Sequence, residues 1–290
     1  MPYKNPDDEA RRSRRYRAAM REEHGTDAPF AQLAKEVSVK GPAYGLRIAV
    51  IPDTQCRPGV PLDHLRWCGE YLARQEPDVI VHIGDHADMP SLQTHDGPGN
   101  LSFEGKRYQK DVDSAKQGMD LLMNPLGKHK LPHLIFCYGN HEDRISRAIR
   151  RDPKLEGLMS LDQLGYKDYG WTTYQFLQPV SVGGVAFSHY FPSGVMGRPI
   201  TTAKGLLSNL HMSAFAGHQQ GRDIAYSKRA DGRDLTAIIS GSFYQHDEDY
   251  LSPFTNQHWR GMYLLHEVRD GRFDEMAVSI NYLKRKFGKG

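Results

Sequence analysis

Apolar residues in this chain gather into short runs parted by charged and glycine-rich stretches, and three of the runs have the length of buried strands: Leu46 to Ile51, Val79 to Ile83 and Leu134 to Tyr138. Between the first two, His64 to Gln75 places Leu65, Trp67, Cys68, Tyr71 and Leu72 on a helical period. A polar helix is predicted from about Phe103 to Met123. It follows a loop-like stretch, Met89 to Phe103, that holds Ser91, Asp96, Gly97, Pro98, Gly99 and Asn100, a length that marks a functional or mobile loop in a compact domain. Asp143 to Arg151 has the charge density of a surface helix. Later, Val180 to His189 turns at Gly183-Gly184, Arg222 to Ala237 at Asp231-Gly232, and Leu264 to Val278 at Asp270-Gly271, each a hairpin signal. The order β-α-β-α-β followed by hairpins predicts a layered α/β protein whose second sheet is largely antiparallel.

Outside this pattern the ends are basic. Glu9 to Glu23 has helix-forming composition but few apolar anchors, and arginines crowd Arg11 to Arg17, so residues 1–40 read as a basic arm, either a solvated tail or an electrostatic contact with nucleic acid. Residues 285–290 read as a basic tail, leaving 41–284 as the folded domain. The net charge is only +3, and 39% hydrophobic with 25% charged residues is the composition of a soluble globular protein. Cys56, Cys68 and Cys137 are odd in number and lack metal-ligand spacing, which argues for a reducing compartment. No apolar stretch reaches the ~18 residues of a membrane span, and the N-terminus has no signal-peptide core, so a cytoplasmic protein without membrane contact is expected.

The chemistry sits where apolar runs stop. Five such ends carry Asp53-Thr54-Gln55, Gly84-Asp85-His86-Ala87-Asp88, Gly139-Asn140-His141-Glu142, Ser188-His189-Tyr190 and Gly217-His218-Gln219-Gln220. In open α/β sheets ligands bind beyond the carboxyl ends of strands. Asp, Asn and His together form the mixed oxygen and nitrogen set that hard or borderline divalent ions accept. In this order, over about residues 46 to 245, the motifs closely resemble those of the calcineurin-like metallophosphoesterase superfamily: D-x-H, G-D-x-x-D, G-N-H-D/E, an isolated H, and G-H-x-H.

The resemblance implies a layered α-β-β-α sandwich of two mixed β-sheets flanked by helices. It also implies two divalent ions about 3.5 to 4 Å apart that share a hydroxide for in-line attack at phosphorus. On that pattern Asp85 bridges the ions, Asp53 belongs to the first, and Asn140, His189 and His218 complete the second. His141 is implied to be the general acid rather than a ligand, with Asp88 orienting its ring. Two positions depart from the family: Gln55 and Gln220 stand where it has histidine. A first site of Asp53, Gln55, Asp85 and Gln220 is all oxygen, which favours Mn²⁺ or Mg²⁺ over Zn²⁺ and weaker binding. His86 and His246 are candidates to compensate, though a surface role is expected for each.

Substrate is not written in the motifs. Asn140, His141 and Arg144 are the candidate substrate contacts, while Arg147, Arg150 and Arg151 read equally as a solvated helix face. The insert holding His95, and Tyr244, His246, Tyr250, His258 and Trp259 in Ser242 to Arg260, offer groups that could stack on bases of DNA or RNA. The style of these segments is similar to phage-encoded members of the superfamily and tilts the reading towards a phosphodiesterase or nuclease. A small-molecule or protein phosphomonoesterase, or a non-catalytic interaction module, are the alternatives. The glutamines favour the module; His141 with Asp88 favours the enzyme, since a scaffold needs no leaving-group acid. The oligomeric state is open.

Overall fold

A computed structural model describes residues 34–94, 101–248, 252 and 255–288. The predicted Glu9 to Glu23 helix, the Arg11 to Arg17 cluster, His95 and Tyr250 lie outside them. The described chain opens with β1 (Lys35–Glu36), β2 (Leu46–Ile51), α1 (Asp63–Gln75), β3 (Val79–His82), α2 (Tyr108–Leu126), β4 (His133–Cys137), α3 (Asp143–Arg151) and β5 (Thr172–Tyr174). It continues through β6 (Val180–Val182), β7 (Val185–Ser188), β8 (Pro192–Ser193), β9 (Arg198–Pro199), α4 (Ala203–Leu210) and β10 (Ala214–Ala216). The last elements are β11 (Arg222–Lys228), β12 (Asp234–Ser240), β13 (Gly261–Arg269), β14 (Arg272–Ser279) and α5 (Ile280–Phe287).

One sheet runs β14-β13-β2-β3-β4-β5 and the other β1-β6-β7-β10-β12-β11, with β8 and β9 as a separate ribbon. Side-chain alternation along the strands builds the layers. Ile48, Val50, Val79 and Val81 point between the sheets and meet Phe187, Phe215 and Ile238. Ala49, Ile51 and Ile80, one residue out of phase, pack under the first sheet's helices with Leu65, Leu72, Met119, Leu122 and Leu283. On the far side Ala186, Ala214 and Ala216 receive Leu206 and Leu207 of α4. Each fully buried Ile or Leu contributes about 1.5–3 kcal/mol of transfer free energy. The result is an α-β-β-α sandwich.

Four expectations need correction. The second sheet is not largely antiparallel: three of its five pairings, β1 with β6, β7 with β10 and β10 with β12, are parallel. α4, whose N-cap Thr202 accepts from Gly205 N–H, crosses over between β7 and β10 and makes that parallel entry possible. The Leu264 to Val278 hairpin joins the first sheet rather than the second, because β13 pairs antiparallel with β2. The arm gives way to the domain before residue 41, since β1 pairs with Val180–Ser181 and Val37 and Val39 pack on the inter-sheet core. The tail from 285 is instead the end of α5, where Leu283 and Phe287, four apart, bury beside α1.

His64 in α1 is fully buried beside Phe243, ring centroids 5.2 Å apart, and its Nε2 has no partner. Burial above all, then the neighbouring His246 and His86, lower its pKa to about 3. An unfolded histidine titrates near 6.5, so below that pH the unfolded chain takes up a proton that the folded one refuses. The stability at stake is fully present above about pH 6.5 and drains as pH falls towards 3. Urea unfolding of wild type and His64→Leu should show wild type losing about 2 kcal/mol more than the variant between pH 7 and pH 5. A difference that stays constant with pH would show that His64 is charged or solvated in the fold.

Candidate metal centre

The carboxyl ends of β2, β3 and β4 in one sheet meet those of β7 and β10 in the other, so five loops converge on one spot. Asp53 follows β2 and bridges to Ser242 beyond β12, which ties the two sheets at this edge. Gln55, Asp85 and His218 hold left-handed backbone, with φ of 42°, 50° and 67°. That conformation costs a non-glycine residue of order 1–3 kcal/mol and persists where the surroundings impose it.

Asn140 Oδ1 lies 2.8 Å from His189 Nε2 and 2.7 Å from His218 Nδ1. His189 Nε2 is 3.3 Å from Asp85 Oδ2, and single ligand atoms of Asp85, His189 and His218 all fall within 4.8 Å of one another. His189 Nδ1 donates to the Ile83 carbonyl at 3.0 Å, which fixes the tautomer and leaves Nε2 a lone pair. That lone pair and the oxygen of Asn140 face the same point, an arrangement a cation relieves. Asp53 accepts from His218 N–H at 3.2 Å and stands 3.8 Å from His189 Nδ1.

Electrostatics tell the same story. Asp53 and Asp85 are buried together. Burial first, then the charge of Asp85, push Asp53 well above the usual carboxylate range. Burial also pulls Asp85 upward, but His141, His189 and His218 outweigh it and hold the group low. Two carboxylates in one dry pocket are costly without a counter-charge, and a divalent ion supplies it.

Local sequence explains how the loops come so close. A Cβ on Gly139 would collide with the amide and carboxylate of Asp85, and one on Gly217 would lie 2.5 Å from Asp53 Oδ1. Glu142, to which the sequence assigns no role, is the clamp between loops: its fully buried carboxylate accepts from Asp85 N–H (3.0 Å), Ala87 N–H (2.9 Å) and Gly139 N–H (2.9 Å). Burial and Asp85 raise its pKa to about 7. Arg147, for which a solvated face and a phosphate contact read equally, is half-buried and donates from Nη2 to the Asn140 carbonyl at 2.6 Å, while Arg150 and Arg151 are exposed.

His141 stands beside the cluster. Its Nδ1 is 2.8 Å from Asp88 Oδ1, its backbone N–H donates to Asp85 Oδ1 at 2.9 Å, and its Nε2 is 3.7 Å from Asp85 Oδ2. Arg144 reaches Nε2 at 3.0 Å through Nη2 and donates to the Asp88 carbonyl at 2.6 Å through Nη1. Burial lowers the imidazole's pKa, yet Asp85 and the bond to Asp88 more than reverse this and leave it raised.

The two glutamines differ. Gln55 is buried with Oε1 lacking any partner, as an oxygen awaiting an ion would be, whereas Gln220 Oε1 accepts from the Tyr244 hydroxyl at 2.6 Å. Neither His86 nor His246 is a surface residue. His86 is fully buried in a directed relay: Gly84 N–H to His82 Nδ1, His82 Nε2–H to Thr54 Oγ1, Thr54 O–H to His86 Nδ1, and His86 Nε2–H to the Ala115 carbonyl. Burial keeps both rings neutral, His86 with a pKa of about 4. His246 stacks on Tyr244 and reaches Glu248 Oε1 at 3.0 Å. Among the described aromatics that could stack on bases, Tyr244 is fully buried and Trp259 carries Arg222 over its face at 4.6 Å.

Among curated proteins none matches the chain. Among solved structures, a dimetal phosphatase from Danio rerio aligns with 81% of this chain and 99% of its own at 12% identity and a TM-score of 0.37, a likeness too distant to bear on function. Among the described residues no helix is long and apolar enough to cross a membrane. The sequence profile described as calcineurin-like phosphoesterase matches residues 46–256, the interval that contains all five converging loops. That match spans most of the chain, and the protein belongs to the calcineurin-like phosphoesterase family of metal-dependent phosphoester hydrolases.

Proposed function

We propose that the protein is a phosphodiesterase of the nuclease type, with Asp53, Gln55 and Asp85 holding one divalent ion and Asp85, Asn140, His189 and His218 the other. Divalent ions held by these side chains would supply a metal-activated water as nucleophile and offset charge on the phosphoryl oxygens. His141, on the rim, keeps Nδ1–H on Asp88, and its Nε2, which accepts from Arg144 Nη2, is the nitrogen that would carry a second proton to the leaving oxygen once the ring is protonated. Asp88, 5% exposed and ionised, stabilises the imidazolium and hands its orientation to the ring. Mn²⁺ or Mg²⁺ suits the first position because its donors are carboxylates and the unpartnered amide oxygen of Gln55. The Tyr244 bond on Gln220 takes one lone pair of a fourth oxygen and leaves this ion the weaker of the two.

The observation that carries the diester reading is the commitment of the nearby arginines. Arg57 lies between Asp88 and Glu248, Arg144 spends its donors on Asp88, Met89 and His141, and Arg147 on Asn140 and Asp143. A phosphomonoester brings a charge of about −1.5 to −2 at neutral pH, and these guanidinium groups are already engaged in hydrogen bonds within the protein. A diester brings one. DNA and RNA are diesters, and the arginines of Arg11 to Arg17 suit a polyanion. Hydrolysis of bis-nitrophenyl phosphate and of nitrophenyl phosphate, each with Mn²⁺, Mg²⁺ and Zn²⁺, tests this. The expected result is faster turnover of the diester, best with Mn²⁺. A monoester preference would make the protein a phosphomonoesterase.

A further inference from the structure

A chain of polar contacts leaves the His141–Asp88 pair through the second oxygen of Asp88. Asp88 Oδ1 faces His141 Nδ1, while Asp88 Oδ2 meets Arg57 Nη1 at 3.1 Å. The same Nη1 lies 3.0 Å from Glu248 Oε2. Glu248 is 3% exposed, its other oxygen is 3.0 Å from His246 Nε2, and its backbone is gripped at both ends by Asn256, which accepts from Glu248 N–H at 2.9 Å and donates to its carbonyl at 3.0 Å. His246 stacks on Tyr244 with ring centroids 4.5 Å apart, and Tyr244 donates to Gln220. The path therefore runs from Gln220 through the Tyr244 to Glu248 segment to the His141–Asp88 pair.

We propose that Arg57, held in place by Glu248, is a positioning residue that fixes the carboxylate plane of Asp88 and thereby the ring of His141. A carboxylate turns easily about its last bond, because terminal sp³–sp² torsions have broad wells. One hydrogen bond on Oδ1 leaves that rotation open; a second on Oδ2 closes it. Arg57 alone would exchange its partner for solvent, its side chain being 20% exposed, and the buried Glu248 on the opposite side removes that freedom. Arg57 and Arg144 balance the charges of Asp88 and Glu248, so what Arg57 supplies is the orientation of Asp88, whose Oδ1 stays 2.8 Å from His141 Nδ1. Coulombic pairing at these distances in a water-poor site is far stronger than at the surface.

The proposal rests on the reading of His141 as the proton donor, and the test separates the two. Diester hydrolysis is measured for wild type, Arg57→Ala, Arg57→Lys, Glu248→Gln, His141→Ala and the Arg57→Ala/His141→Ala double variant, with nitrophenyl and phenyl leaving groups. Metal content and the imidazole N–H proton resonances of the metal-free proteins are recorded alongside. Arg57→Ala should lose about 10- to 100-fold in kcat with KM and metal content unchanged, the scale of an orienting partner's contribution. The loss should be larger for phenyl, whose departure needs the proton. Arg57→Lys, which keeps the charge, and Glu248→Gln, which keeps the shape, should each lose less, and the two remain informative if Arg57→Ala fails to fold. The downfield Nδ1–H resonance that disappears in His141→Ala should broaden in Arg57→Ala. In the double variant, Arg57→Ala should add nothing to His141→Ala. Independent, multiplying losses, or a raised KM with kcat unchanged, would overturn the proposal and make Arg57 a substrate contact. Unimpaired turnover in His141→Ala would overturn the proton-donor reading itself and the proposal with it.

Discussion

His141→Ala should lower kcat about 10²- to 10⁴-fold while the protein keeps the metal content of wild type. The geometry separates the two properties. His141 spends Nδ1 on Asp88, and its Nε2 lies 3.7 Å from Asp85 Oδ2, outside the group formed by Asp85, His189 and His218. Its removal takes away a proton, not a ligand. Substrates with good leaving groups should suffer least, because their departing oxygen needs little protonation. Metal analysis after dialysis checks the assignment: loss of an ion in the variant would make His141 a ligand and leave the acid unidentified.

Glu142→Ala should cost about 3–5 kcal/mol of stability, the largest loss expected from a single truncation at the site. Its carboxylate is the acceptor for three backbone N–H groups, of Asp85, Ala87 and Gly139, and each buried donor left unpaired costs about 1–3 kcal/mol, less where water enters the gap. For a chain of this size that lowers Tm by roughly 2–4 °C per kcal/mol, hence by about 10 °C. Turnover should fall with it, since the same three amides fix the loops that carry Asp85 and Asn140. Glu142→Gln, which keeps an acceptor oxygen, should lose less on both counts. A thermal melt of Glu142→Ala that matched wild type would show that the loops are held by other contacts.

The strands and the five loops are legible in the sequence because each loop begins where an apolar run ends. Ile48 and Val50 alternate with Ala49 and Ile51, and that phase alone sends one pair between the sheets and the other under the helices. The parallel centre of the second sheet is not legible, because α4 spans only Ala203–Leu210 and its crossover is short beside the hairpin signals around it. His86 reads as a surface residue because a motif shows spacing and not depth; its neutrality comes from burial among residues remote in sequence. Arg57 and Glu248 are separated by 191 positions, so no local pattern couples them. Glu142 is visible in its motif, but its work is to gather amides, and amides leave no mark in a sequence.

The most direct test of the central claim, that these loops form a divalent-ion centre for phosphoester hydrolysis, is a calorimetric titration of chelator-treated wild type and Asp85→Asn with Mn²⁺, with diester hydrolysis followed in the same samples. Chelated wild type should be inactive, should bind Mn²⁺ in one tight and one weaker step, and should regain turnover as the sites fill. Asp85→Asn, which weakens the carboxylate shared by both positions, should lose the binding heat and the turnover together. Undiminished hydrolysis by chelated wild type, or Mn²⁺ binding by Asp85→Asn as tight as wild type's, would contradict the account.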